Sequence, residues 1–232
     1  MKINTINCLA LITVVFTLAA CGPMAEDQTA VAIEAFATEA PAGAYHVDPS
    51  HADLSFRVNH LGFSWYTARF TNFSADLHFD PLKPAEMNVV ATINSRSLVL
   101  PSPPADFLDT LLGAQWLDAA QFPEIKFSST RVEPTGENSV RITGDLSLHG
   151  VRKPVVLNAV FNGGYAGHPL DPHGRIGFSA RGSFKRSDFG ISYGIPEPGS
   201  TMGVGDNIEV IIEAEFTGPP LTQAGEGRTP QP

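Results

Sequence analysis

His60 and Arg186 are polar residues placed where an apolar strand face should continue, which makes them the first candidates for chemistry. His60 follows Ala52, Leu54, Phe56 and Val58 at period two, and Arg186 follows Ile176, Phe178, Ala180, Gly182 and Phe184. An imidazole at that position can hydrogen-bond a polar group of a bound molecule, or serve as a satisfied core histidine. A buried, unpaired guanidinium is very costly. Arg186 must therefore meet a carboxylate such as Asp188, reach water at a rim, or meet a ligand head group. His51 and Asp53 have acid/base side chains, but both fall on the outward parity of their strand, which disfavours a catalytic pair inside.

Other patterns are weaker. Gly190, Ser192 and Gly194 match the Gly-x-Ser-x-Gly nucleophile elbow, yet that motif needs a strand–turn–helix setting and a later histidine. A Gly/Pro-rich stretch follows instead, and the last histidine is His173. The match reads as chance. His168 and His173 flank Asp171 in a turn-like segment, without the fixed ligand pairs of a zinc site. No phosphate loop, dinucleotide fingerprint, haem motif or cysteine nucleophile is present. The sequence thus names no catalytic residue, no metal ligand and no cofactor.

The elements that must position these residues are strands. Residues 51–60 alternate cleanly, and the pattern resumes with Phe70, Phe73, Leu77 and Phe79 after a break at Gly62. Six further runs alternate: 87–93, 125–127, 140–148, 155–161, 176–184 and 208–216. Eight strands with one apolar face, joined by short turns, predict an all-β, antiparallel barrel. At that strand number the interior is either filled by side chains or holds one small ligand, as in lipocalins. Ala91, Gly144 and Ala214 are small inward residues that favour a hollow. One helix interrupts the meander: Ser102 as N-cap, Pro103 and Pro104 near the first turn, then Phe107, Leu108, Leu111, Leu112 and Trp116 on one face. Beside a barrel mouth it either covers the opening or plugs it. Residues 187–205 form a second long insertion without period.

The inward rings include Phe56, Phe70, Phe73, Phe127, Phe178 and Phe184, and Phe63, Trp65 and Trp116 fall near the expected mouth. With Phe107, Leu111, Phe189, His60 and Arg186 they form the candidate ligand-contacting set.

The N-terminus places Lys2 before a hydrophobic run from residue 8 to 20, too short to span a bilayer and read as a secretory leader. Leu18-Ala19-Ala20-Cys21-Gly22 resembles the lipobox of bacterial lipoproteins, in which cleavage precedes a lipidated cysteine; the alternative is a plain signal peptide. Lipidation at Cys21 implies membrane anchoring, and the absence of Asp after the cysteine implies the outer membrane, facing the periplasm. The expected organisation is a leader at 1–20, an Ala-rich acidic tether at 21–44, a barrel at 45–217 and a disordered tail at 218–232. Cys8 lies in the leader, so the mature domain has no disulfide and must rely on its core. The net charge of −9, without a Lys/Arg run, argues against nucleic acid.

Tyr45-His-Val-Asp48, Ser50-His51, Phe56-Arg-Val-Asn-His60, Phe122-Pro123-Glu-Ile-Lys-Phe127-Ser-Ser129, Gly144-Asp-Leu146, Gly150-Val-Arg-Lys153-Pro154 and Arg186-Ser-Asp-Phe-Gly190 occur in order. Together they resemble the YceI-like family of lipocalin-like, polyisoprenoid-binding bacterial proteins, over roughly residues 45–216. The resemblance implies an elongated apolar tunnel, secretion to the periplasm, and binding of isoprenoid quinones or similar long-chain amphiphiles. No catalytic residues are established for the family as a whole. The expected function is non-enzymatic carriage or sequestration of a polyisoprenoid or other long-chain lipid, with that lipid as ligand and the membrane as partner. The alternatives are an enzyme acting on such a lipid and a filled-barrel envelope scaffold. The sequence does not choose between monomer and homodimer.

Overall fold

The computed structural model describes residues 35–221; the leader, the lipobox, most of the expected tether and most of the tail lie outside the described residues. The chain forms β1 (Gly43–His60), β2 (Ser64–Phe70), β3 (Phe73–Phe79), β4 (Asn88–Asn94), β5 (Leu98–Val99), α1 (Phe107–Leu112), β6 (Glu124–Gly136), β7 (Ser139–Leu148), β8 (Val151–Tyr165), β9 (His173–Lys185) and β10 (Val204–Pro220). All pairings are antiparallel, and β10 pairs with β1 to close the ring. The closed circuit β1-β3-β4-β6-β7-β8-β9-β10 has eight strands. This is the expected lipocalin-like barrel.

β1 is the spine. Its first residues pair with β3 (Gly43 opposite Phe79), and its later residues pair with β2 (Leu54 opposite Phe70, His60 opposite Ser64). β2 and β3 are therefore one strand broken at Thr71-Asn72, and β5 extends the β2 edge at Arg69 and Phe70. The break shifts parity. Tyr66, Ala68 and Phe70 face in before it, and Phe73, Ala75, Leu77 and Phe79 after it. β1 makes the matching shift in the irregularity between Val47 and Ala52, which contains Pro49. A residue without an N–H is tolerated at such a bulge.

One end of the barrel is closed by rings. Phe36 stacks on Phe161 at 4.8 Å, Phe79 lies 5.6 Å from Phe161, and Tyr45 meets Phe79 edge-on at 5.5 Å. Phe36 precedes β1, in the stretch whose composition reads as spacer. The Phe36 N–H donates to the Pro81 carbonyl at 2.8 Å, and its ring is buried. Residues 35–44 thus lie against the barrel, and burying one phenylalanine is worth about 1.5–3 kcal/mol. The Tyr45 hydroxyl donates to the Pro41 carbonyl at 2.8 Å, and burial pushes its pKa up to about 12. β10 likewise continues to Pro220, past the start of the expected tail.

The helix differs from its expected form. α1 has only six residues, and Ser102 is not its cap. Asp106 precedes the first turn with φ +60° and no side-chain cap bond. Trp116 lies beyond the helix, in a turn closed by its N–H to the Gly113 carbonyl at 3.0 Å. Apolar spacing carried the expectation too far, because Gly113 ends the turn with an extended φ/ψ.

Candidate functional site

A cavity of about 540 Å³ occupies the half of the barrel between β2, β5, α1 and β8–β10. Its walls are almost wholly apolar: Leu54, Phe56, Val58, Phe70, Leu98, Leu100, Phe107, Leu111, Leu117, Phe127, Phe184, Ile208 and Val210 among others. The polar side chains in the lining are few, chiefly Ser55, His60, Ser102, Ser183 and Arg186, with Tyr66 and Trp116 presenting rings. A second, wholly apolar chamber of about 140 Å³ lies toward the closed end, with Phe73, Ala91, Phe178 and Ala214 in its walls. Leu54, Ile93, Leu157 and Ile212 line both and form the waist between them.

The wall of the larger chamber is incomplete as a sheet. β4 pairs with β6 only as far as Asn94 opposite Glu124, and β5 pairs with β2 alone. Residues 100–122 fill the gap. Leu108, Leu111 and Leu112 of α1 pack on Ala68, Leu98 and Leu100, while Phe107 and Leu111 reach the cavity. No α1 residue is fully buried, as fits a cover lying over a hollow.

Of the candidate set, Phe56, His60, Phe70, Phe107, Leu111, Trp116, Phe127, Phe184 and Arg186 line the larger chamber, and Phe73 and Phe178 the smaller. Three do not. Phe63 sits at the β1–β2 hairpin tip, 82% exposed. Trp65 faces outward, with the Arg57 guanidinium 5.0 Å from its ring, because inward parity in β2 falls on Tyr66. Phe189 is core: it is buried and packs edge-on to Phe184 at 5.2 Å. His60 is exposed at the rim rather than a core histidine. Gly144 is not a void, since a Cβ there would collide with the Phe127 ring.

Arg186 forms no ion pair with a carboxylate among the described residues and does not reach water at the rim, although it lines the larger chamber. It is 3% exposed, and its guanidinium donates to four backbone carbonyls: Gly205 at 3.0 Å, Ile191 at 2.9 Å, Tyr193 at 2.9 Å and Val204 at 2.8 Å. Its carbon lies 4.9 Å from the Trp116 ring centre. Burial lowers its pKa from the usual guanidinium value, with Asp206 opposing. Asp188 pairs instead with Lys153 at 3.5 Å. Arg186 thus pins residues 191–205 over the chamber. The Gly190–Gly194 motif belongs to this pinned loop, not to a nucleophile elbow. Trp116 Nε1 is buried and has no hydrogen-bond partner among the described residues; its ring meets Tyr193 edge-on at 5.8 Å.

The outward residues are engaged elsewhere. His51 Nδ1 lies 3.0 Å from Asp48, and Asp53 accepts from the Ser55 hydroxyl. His168 and Asp171 form an isolated bridge at the closed end, where Asp171 holds Arg175 and Tyr165. Among the described residues no His/Cys/Asp/Glu group is placed to hold a metal ion.

Sequence reasoning missed the β10 face of Ile208, Val210 and Ile212, and also Tyr66, Leu98 and Leu100. Period two marked the β10 residues as inward, but nothing in an aliphatic strand says that it faces space rather than side chains.

Comparison with known proteins agrees with this architecture. A UPF0312 protein of Pseudomonas putida is 37% identical over 181 residues, covering 76% of this chain and 88% of its own. One from Photorhabdus laumondii is 40% identical over 165 residues, covering 69% and 82%. Among solved structures, Burkholderia cenocepacia BcnA superposes with a TM-score of 0.62 at 25% identity, covering 73% of this chain and 98% of that one. The Campylobacter jejuni YCEI protein gives 0.57 at 29% identity, covering 68% and 88%. A polyisoprenoid binding domain from Saccharophagus degradans, at 14% identity and TM-score 0.53, shares the fold, covering 77% and 100%. The YceI-like domain matches residues 45–216, and with a closed barrel of that topology around an apolar hollow, the chain belongs to the YceI-like family.

Proposed function

We propose that this protein is a non-enzymatic carrier that sequesters one polyisoprenoid, or a similar long-chain amphiphile, in its barrel. The observation that carries the reading is the two-chamber cavity, continuous in its lining, apolar but for a few polar side chains, and stopped by rings at one end. A long chain laid through the waist loses contact with water, at about 25 cal/mol per Å² of apolar surface. The polyisoprenoid-binding description of the Saccharophagus relative supports the same ligand class. His60 at the rim is available to a neutral head group such as a quinone carbonyl. Four of the five Arg186 N–H donors are committed to backbone carbonyls, which leaves that group little to offer a ligand head. The enzyme alternative needs an acid or base beside His60, whereas His51 and Asp53 project from the outer wall. The lipobox resemblance supports a protein anchored through Cys21 in the outer membrane and facing the periplasm.

The test is native mass spectrometry of the exported full chain, purified without detergent. A discrete adduct of organic-extractable lipid, lost on Val210→Trp in the larger chamber and shortened in chain length on Ala91→Trp in the smaller, is expected. A protein that stays bare after incubation with quinones and isoprenoid phosphates overturns the reading.

A further inference from the structure

The open end of the barrel carries exposed apolar side chains that the cavity does not use. The β1–β2 hairpin tip and the loop at 191–204 are tied together there. Leu61 N–H donates to the Gly203 carbonyl at 2.9 Å, Val204 N–H donates to the Gly194 carbonyl at 2.8 Å, and His60 pairs with Val204. A Cβ on Gly62, at φ +73°, would lie 3.0 Å from Thr201, so the two segments touch. From this joined rim Phe63 is 82% exposed, Met202 71%, Tyr193 54% and Trp65 45%. Each stands within three residues of a cavity-lining side chain: His60, Tyr66, Ile191 and Val204.

Single exposed apolar residues need no explanation. Four on one rim, contiguous with the mouth of an apolar cavity, do. The segments that form the rim are poor in charge, with Arg57, Asp106 and Asp206 at their borders. Glu197 is the one Asp, Glu, Lys or Arg among residues 58–68, 99–105 and 189–205, in a chain that is 17% charged and carries a net −9. Trp and Tyr are the side chains favoured at a bilayer interface, and Arg57 beside Trp65 can lay its stem along the ring while its head stays in water.

We infer that this rim docks on the interfacial zone of a lipid bilayer, with Phe63 and Met202 entering the acyl boundary and Trp65 at head-group level. The inference rests on the carrier reading for its purpose: a docked mouth passes a lipid chain between bilayer and cavity without exposing it to water. The scarcity of charge selects a zwitterionic or neutral surface, because an acidic protein without a basic patch gains nothing from anionic lipid.

The experiment uses the full chain bound to phosphatidylcholine vesicles that carry bromine on the acyl chains near the head group. The protein has two tryptophans. Quenching of Trp65 emission is expected in the wild type, and in Trp65→Phe the remaining Trp116 signal stays unquenched. Phe63→Ser with Met202→Ser, both on the surface, should weaken this contact about tenfold or more with unchanged circular dichroism. Leu170→Ser, at the closed end and 92% exposed, should leave it intact. Replacing a third of the lipid with phosphatidylglycerol should not strengthen it. A vesicle-bound chain whose Trp65 is unquenched, quenching that requires anionic lipid, or a rim occupied by a second copy in sedimentation experiments overturns the inference. Lipid content measured by mass spectrometry is scored separately, so a quenched but empty protein fails the carrier reading and leaves the docking surface standing.

Discussion

The Arg186 guanidinium lies 4.9 Å from the centre of the Trp116 ring while donating to the carbonyls of Gly205, Ile191, Tyr193 and Val204. A cation stacked on a ring with four of its five donors on backbone is a fastener. It joins the end of β9 to the turn after α1 and to the start of β10, across the roof of the larger chamber.

Removing the fastener strands four acceptors. Arg186→Met should destabilise the protein by about 3–5 kcal/mol, since each buried carbonyl left unpaired costs about 1–3 kcal/mol and partial rewetting recovers some of it. Arg186→Lys should recover little, because a single ammonium cannot span carbonyls set for a planar fork. Urea unfolding of both variants checks this; a lysine variant as stable as the wild type would refute the fastener role.

Phe36 gives a second prediction. Phe36→Ala removes the ring stacked on Phe161 and should cost about 3 kcal/mol. It should also lengthen the smaller chamber toward the closed end, so bound lipid recovered from the variant shifts toward longer chains. Denaturation midpoint and lipid profile are read on the same preparation.

At the closed end Asp48 accepts from Arg175 at 2.7 Å and lies 3.0 Å from His51. The Arg175 bond comes first among the causes that hold its carboxyl well below the usual carboxylate range, with His51 and the Ser50 N–H adding to it. A lowered folded-state pKa gives stability that is present above the ordinary carboxylate value of about 4 and is lost as pH falls toward the folded value. Asp48→Asn should therefore be less stable than wild type by about 1 kcal/mol at pH 7. The gap should close as pH drops below about 4. Thermal unfolding at pH 7, 4 and 2.5 measures it, and a gap that persists undiminished at pH 2.5 would disprove the assignment.

Gly144 offers a probe of the cavity wall. A Cβ there would collide with the Phe127 ring and crowd the Ser128 carbonyl, so Gly144→Ala is expected to displace that ring toward the larger chamber. A stability loss of about 1–3 kcal/mol is expected, together with reduced lipid content. Full lipid loading in a destabilised variant would mean that the ring yields in another direction.

The barrel was legible in the chain because strands with one wet face announce themselves by alternation. All eight expected runs occur, and of the two parity breaks the one at Pro49 only bulges β1 and the one at Thr71-Asn72 splits a strand into β2 and β3. The site was legible where it reuses that alternation: Phe56, Phe70, Phe127 and Phe184 point inward because their neighbours in sequence point out. It failed where side-chain type was read as a role. Aromatic character suggested Phe63 and Trp65 as lining, but a hairpin tip and an odd-parity position put both outside. Phe189 follows the barrel strand in a short 3₁₀ turn, where period two no longer applies. Arg186 was placed correctly and its partners were not, since a folded-back loop offering four carbonyls leaves no mark in composition. The reach of Phe36 into the core was hidden by the spacer-like residues around it.

The described residues begin and end at the closed end of the barrel. Thr38 bonds to the Gly164 carbonyl, and Leu221 N–H donates to the Pro172 carbonyl. β1 has 18 residues, which at about 3.3 Å each and a tilt near 40° make the body about 45 Å tall. The stretch between Cys21 and Ala35, about 14 residues, spans at most about 50 Å. If Cys21 is the anchor, the leash is about as long as the body it holds. The mouth reaches back to the anchoring bilayer only with that leash drawn taut along the flank.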